Sequence, residues 1–110
     1  MMTEVYIANV KSENFDYDAC DNYDYETNKE WKYPEKIGTS IDAGGYGLIP
    51  WKYKERVKKV DWSLRVLKLN KSDLIDFLKY ELKHETLLNI AEKLEDEKEY
   101  LLVVVEDVWI

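Results

Sequence analysis

The sequence predicts an α+β domain with a small antiparallel or mixed sheet of about four to five strands and two helices packed on one face. Three observations carry this. Val60, Trp62, Leu64 and Val66 alternate with Asp61, Ser63 and Arg65, the period of a half-buried strand. Leu74, Ile75, Leu78 and Leu82 fall at the i, i+1, i+4, i+8 spacing of a helix that buries one stripe. Leu101 to Val105 is continuously apolar and largely β-branched, as in a strand covered on both faces or central in its sheet. The expected order is β, long loop, β-hairpin, β, α, α, β.

Taken from the start, Glu4 to Val10 is a β-branched and aromatic run with partial alternation, and it opens the sheet. From Lys11 to about Tyr33 the chain turns to Asp, Asn, Glu and Tyr with almost no aliphatic residue, so an acidic, Tyr/Asp-rich surface loop is expected over about 11–35. Loops of that length in a compact domain are functional or partly disordered. Thr39 to Trp51 reads as a hairpin turning at Gly44-Gly45, with Pro50 marking an edge strand. The alternating strand runs from Val60 to Leu69, with Leu67 and Leu69 switching the pattern as it ends. Asn70 or Ser72 caps the first helix, in which Phe77 sits beside the stripe. A second helix follows over about Glu85 to Glu95, after a kink or short turn at Lys83-His84. The polar turn Asp96-Glu97-Lys98 leads into the last strand.

The chain has 110 residues, the size of one domain with one hydrophobic core, and all of 1–110 is read as that single domain. Neither a signal peptide nor a membrane helix is expected, because no apolar run approaches the roughly eighteen residues that a span needs. Cys20 is the single cysteine, so no intrachain disulfide forms and a reducing, cytoplasmic location fits.

The net charge is −7, which disfavours direct binding to nucleic acid or anionic membrane and favours a partner protein with a basic surface. The charge is uneven: residues 1–30 carry eight acids and two bases, 31–60 three and seven, and 61–110 twelve and seven. A basic middle therefore neutralises acidic flanks in three dimensions or leaves a basic patch on an acidic body.

The most unusual stretch is Phe15 to Glu26, where four aromatics interleave with five acids. In extended chain Phe15 and Tyr17 share one face, as do Tyr23 and Tyr25, so the aromatics can dock on the body while carboxylates face outward. Asp16, Tyr17, Asp18, Asp21, Tyr23, Asp24, Tyr25 and Glu26 are the candidate partner-binding residues. Carboxylates on a rigid support imitate a phosphate backbone and can fill the basic site of a nucleic-acid-binding enzyme, as in anti-restriction or anti-CRISPR action by phages and mobile elements. The plainer reading is a solvated acidic loop whose tyrosines lean on the core.

Other chemistries find less support. A calcium loop beginning at Asp16 would place Asp21 where glycine is required and Thr27 where a bidentate glutamate should stand. One cysteine and one histidine, sixty-four residues apart, make no zinc set. No metal and no cofactor is expected. His84, at a helix boundary on a charged face, suits capping better than general-base work. No catalytic residue stands out, and a non-enzymatic protein is expected.

An alternative site is a small-ligand one, in which Gly44, Gly45, Tyr46, Trp51, Lys52, Lys54 and Arg56 hold an anionic nucleotide by stacking and charge. The glycines lack phosphate-loop spacing and run into Leu48-Ile49-Pro50, so a turn explains them equally. The bases of 52–59 equally serve to neutralise the acidic loop. A third reading makes the chain a structural subunit of an oligomer, whose state the sequence leaves open.

Overall fold

The computed structural model describes residues 2–13, 15–20, 33–42, 55–60 and 63–107. The described strands are β1 (Met2–Asn9), β2 (Lys11–Ser12), β3 (Phe15–Asp16), β4 (Lys36–Asp42), β5 (Val57–Lys59), β6 (Leu64–Asn70) and β7 (Glu99–Asp107). Five of them form one sheet in the order β4-β1-β7-β6-β5, every pair antiparallel. β2 and β3 make a small ribbon beside it. The helices are α1 (Lys71–Asp76), which runs on into a π-helical turn at Phe77–Glu81, and α2 (Glu85–Glu92). This is the α+β fold the sequence predicts, with both helices on one face.

The first and last strands meet at the middle of the sheet. β7 lies between β1 and β6, paired from Met2↔Asp107 to Asn9↔Tyr100 on one side and from Leu64↔Val105 to Asn70↔Glu99 on the other. Its unbroken apolar run suits that place, because both faces are buried. Leu102 and Val104 join Val5, Ile7, Leu67 and Leu69 under the helices, where Leu74, Phe77, Leu78, Leu87 and Ala91 complete the core. Leu101 and Val103 point the other way, toward Tyr6, Ala8, Leu64 and Val66.

Two expectations are corrected here. The strand read as Val60 to Leu69 begins only at Leu64: β5, ending at Lys59, pairs back on β6, and the Val60 N–H donates to the Leu64 carbonyl at 2.8 Å. Leu67 and Leu69 do not end the pattern either. They are the second buried face of a strand that continues to Asn70, and a strand with two apolar faces loses the alternation that marks a half-buried one. Within the loop expected over about 11–35, Phe15, Tyr17 and Cys20 are buried against the second face of the sheet, and residues 21–32 lie outside the described residues.

β4 covers the start of the segment expected as a hairpin; the expected turn at Gly44-Gly45, the expected return strand and Pro50 lie outside the described residues. Asn70 caps α1, its side-chain oxygen accepting from the Asp73 N–H at 2.8 Å. The break at Lys83-His84 is a turn, made by Lys83 in the left-handed conformation at φ 56° with His84 extended before α2. His84 stands at the N-cap but makes no side-chain capping bond. α2 ends at Glu92, short of the expected Glu95. Among the described residues no helix is long and apolar enough to cross a membrane.

Candidate functional site

The face of the sheet opposite the helices is covered, among the described residues, by a strap of chain from Phe15 to Cys20. The i, i+2 spacing of Phe15 and Tyr17 puts both rings on the sheet and leaves Asp16 and Asp18 on the other side. Phe15 is 2% exposed, Tyr17 7% and Cys20 0%. A turn closes the strap: the Ala19 and Cys20 N–H groups donate to the Asp16 carbonyl at 3.2 and 3.1 Å, and the Asp18 N–H donates to Asp16 Oδ1 at 3.0 Å. The Tyr17 N–H donates to the Val10 carbonyl at 3.0 Å, tying the strap to the end of β1.

Tyr17 is the centre of the arrangement. Its hydroxyl donates to the Arg56 carbonyl at 2.7 Å. Lys58 Nζ sits 4.2 Å from its ring centroid and Lys68 Nζ 4.9 Å, so two cations share one aromatic face system. Burial raises the phenol pKa above its ordinary value; the charges of Cys20, Asp18 and Glu99 push the same way and Arg56 opposes them. The hydroxyl thus remains a donor.

Lys58 also donates to the Tyr17 carbonyl at 2.6 Å and to the Cys20 carbonyl at 2.8 Å. Within the basic segment, Lys58 therefore holds the strap by two backbone carbonyls. Arg56 pairs with Asp73 at 3.0 Å, which commits this member of the alternative ligand site to α1. Gly44, Gly45, Tyr46, Trp51, Lys52 and Lys54, the rest of that site, lie outside the described residues.

Of the acidic candidates, Asp16 and Asp18 come together on the strap; Asp21, Tyr23, Asp24, Tyr25 and Glu26 lie outside the described residues. Asp18 is open to solvent, its side chain 68% exposed. Tyr17 is buried and anchors the strap through its hydroxyl.

Sequence reasoning missed Lys68 and Glu99. Lys68 Nζ lies 3.3 Å from Asp18 Oδ1 and 4.0 Å from Glu99 Oε1, bridging the strap to the start of β7. The signal was present in the alternation Leu64, Val66, Lys68, which puts Lys68 on the strap face once the strand is carried to Asn70. No group of three or more His, Cys, Asp or Glu side chains able to hold a metal occurs among the described residues.

Comparison with family models, with curated proteins and with solved structures finds no match.

Proposed function

We propose that the chain is a non-enzymatic binding protein that sets an anchored acidic surface into a basic site on a partner protein, in the manner of a nucleic-acid mimic. The observation that supports this reading is the strap: Phe15, Tyr17 and Cys20 are driven into the sheet while Asp18 stays outside and Asp16, paired with Lys11, is half-buried. Side chains held before the partner arrives lose less freedom on binding, and preorganisation of this kind raises affinity without new contacts. Downstream of this anchored point the sequence adds Asp21, Asp24 and Glu26, and Glu99 joins through Lys68. A net charge of −7 steers the chain toward a basic surface and speeds encounter at low salt. A reducing cytoplasm suits the buried thiol of Cys20.

The test is affinity capture from a cell extract at low and high salt, comparing the natural chain with an Asp16→Asn, Asp18→Asn, Asp21→Asn, Asp24→Asn variant. The expected result is a basic protein retained at low salt, released by salt, displaced by added double-stranded DNA and lost in the variant. Equal retention by the variant overturns the reading.

A further inference from the structure

We propose that the strap is a latch closed by Lys58, able to open as a unit while the sheet stays folded. The latch would regulate the acidic surface, and that use rests on the binding reading above; the latch itself rests on geometry alone.

The strap lies outside the five-stranded sheet; its start pairs with β2 and bonds to Val10, and the side chains of Tyr17 and Lys58 tie its later part to the β5 edge. Tyr17 does so through the bond from its hydroxyl to the Arg56 carbonyl. Lys58 does so through its ammonium, which takes the carbonyls of Tyr17 and Cys20 and lies against the Tyr17 ring. Both ends of the closing turn thus converge on one cation. Hydrogen bonds from a charged donor are stronger than neutral ones, and a carbonyl stripped of its donor while covered carries the full desolvation penalty. Removing the ammonium therefore acts on the strap twice over.

The sheet does not depend on the strap in the same way. β7 is held by full ladders to β1 and β6, and its helix-side residues pack in a separate cluster. A segment outside the sheet's hydrogen-bond ladders opens at lower free energy than the core strands it covers. With the latch closed, Asp18 is fixed beside Lys68 and Glu99. With it open, Asp18 leaves that surface.

Cys20 reports the state of the latch. It is the only cysteine, it is fully buried at the end of the strap, and a thiol reagent reaches it only when the strap lifts. The experiment follows modification of Cys20 by a water-soluble aromatic disulfide in the natural chain, in Lys58→Met and in Lys58→Arg, with amide exchange at Leu102 and Val103 as the readout of global opening. Lys58→Met is expected to speed modification about tenfold or more, the factor that loss of one charge-assisted hydrogen bond carries, while β7 protection stays near that of the natural chain. Lys58→Arg is expected to recover most of the slow rate. An unchanged rate in Lys58→Met overturns the latch, and so does acceleration matched by an equal loss of β7 protection. Should Lys58→Met fail to fold, the latch is likewise overturned unless Tyr17→Phe, which removes only the bond to Arg56, speeds thiol modification with β7 still protected. None of these readouts involves a partner, so failure of the binding proposal leaves them intact.

Discussion

Gly38 in β4 lies so close beneath Ile90 of α2 that a β-carbon on it would stand 2.8 Å from Ile90 Cδ1. The same glycine has φ +76°, a conformation that L side chains adopt at a cost of about 1–2 kcal/mol. Gly38→Ala is expected to lower unfolding free energy by about that amount in urea melts. The steric part is small because Cδ1 is the free end of the side chain and can swing aside. Ile90→Val, which deletes that atom, should therefore recover little of the loss in a double-mutant cycle. Full recovery would show that contact, and not backbone conformation, requires glycine here.

The phenol of Tyr6 is buried in the strap-side cluster and donates to the Pro34 carbonyl. Burial, chiefly, and then the charges of Glu4 and Tyr33 raise its pKa far above the ordinary value. A raised pKa means that the folded state holds the proton more tightly than the unfolded chain. The resulting stability is whole below about pH 10, where the unfolded phenol begins to ionise, and is lost as pH rises toward the folded value. The stability advantage of the natural chain over Tyr6→Phe is expected to be constant through neutral pH and to shrink above about pH 10. Denaturant melts of the two proteins across that range check it, and a flat difference would mean that Tyr6 ionises as readily folded as unfolded.

Thr3 is fully buried, and its hydroxyl finds no hydrogen-bond partner among the described residues. Valine has nearly its shape without the stranded oxygen. Thr3→Val is expected to leave stability unchanged or to raise it by about 1 kcal/mol in thermal melts, since the folded chain no longer desolvates a hydroxyl for nothing. A loss of similar size would reveal a bond made by that oxygen.

How far the sequence could be read depended on whether an element's signal was local. β7 and α1 were legible because an unbroken apolar run and a helical stripe state burial directly, and Phe15 with Tyr17 declared a shared face by spacing alone. β5 was not legible. Val57-Lys58-Lys59 has two charges in three residues, and it is a strand because β6 lies beside it and the strap's carbonyls receive the Lys58 ammonium. The second buried face was legible in part, through the unbroken run of β7 and the spacing of Phe15 and Tyr17, but Cys20 carried no local signal of its burial there. Lys68 was lost with it, since its role exists only once the strap is in place.

Lys71, the first residue of α1, reaches across to close the far end of α2. Its ammonium donates to the Glu92 carbonyl at 3.0 Å, the Leu94 carbonyl at 2.8 Å and Asp96 Oδ1 at 2.9 Å. Carbonyls at a helix C-terminus lack intrahelical donors and carry the negative end of the helix dipole, so a cation there is favourable. The Lys71 side chain is 15% exposed but that of Asp96 is 86% exposed, which separates the three bonds by value. The ion pair to Asp96 is screened by water, and Asp96→Asn is expected to cost less than about 1 kcal/mol. Lys71→Met keeps much of the apolar stem and removes the donor to both carbonyls, and is expected to cost about 1–3 kcal/mol. The Lys71→Met loss should persist at high salt, with any Asp96→Asn loss fading there. Urea melts at low and high ionic strength decide between carbonyl capping and ion pairing as the main tie. Equal losses in the two variants, both erased by salt, would give the role to the ion pair.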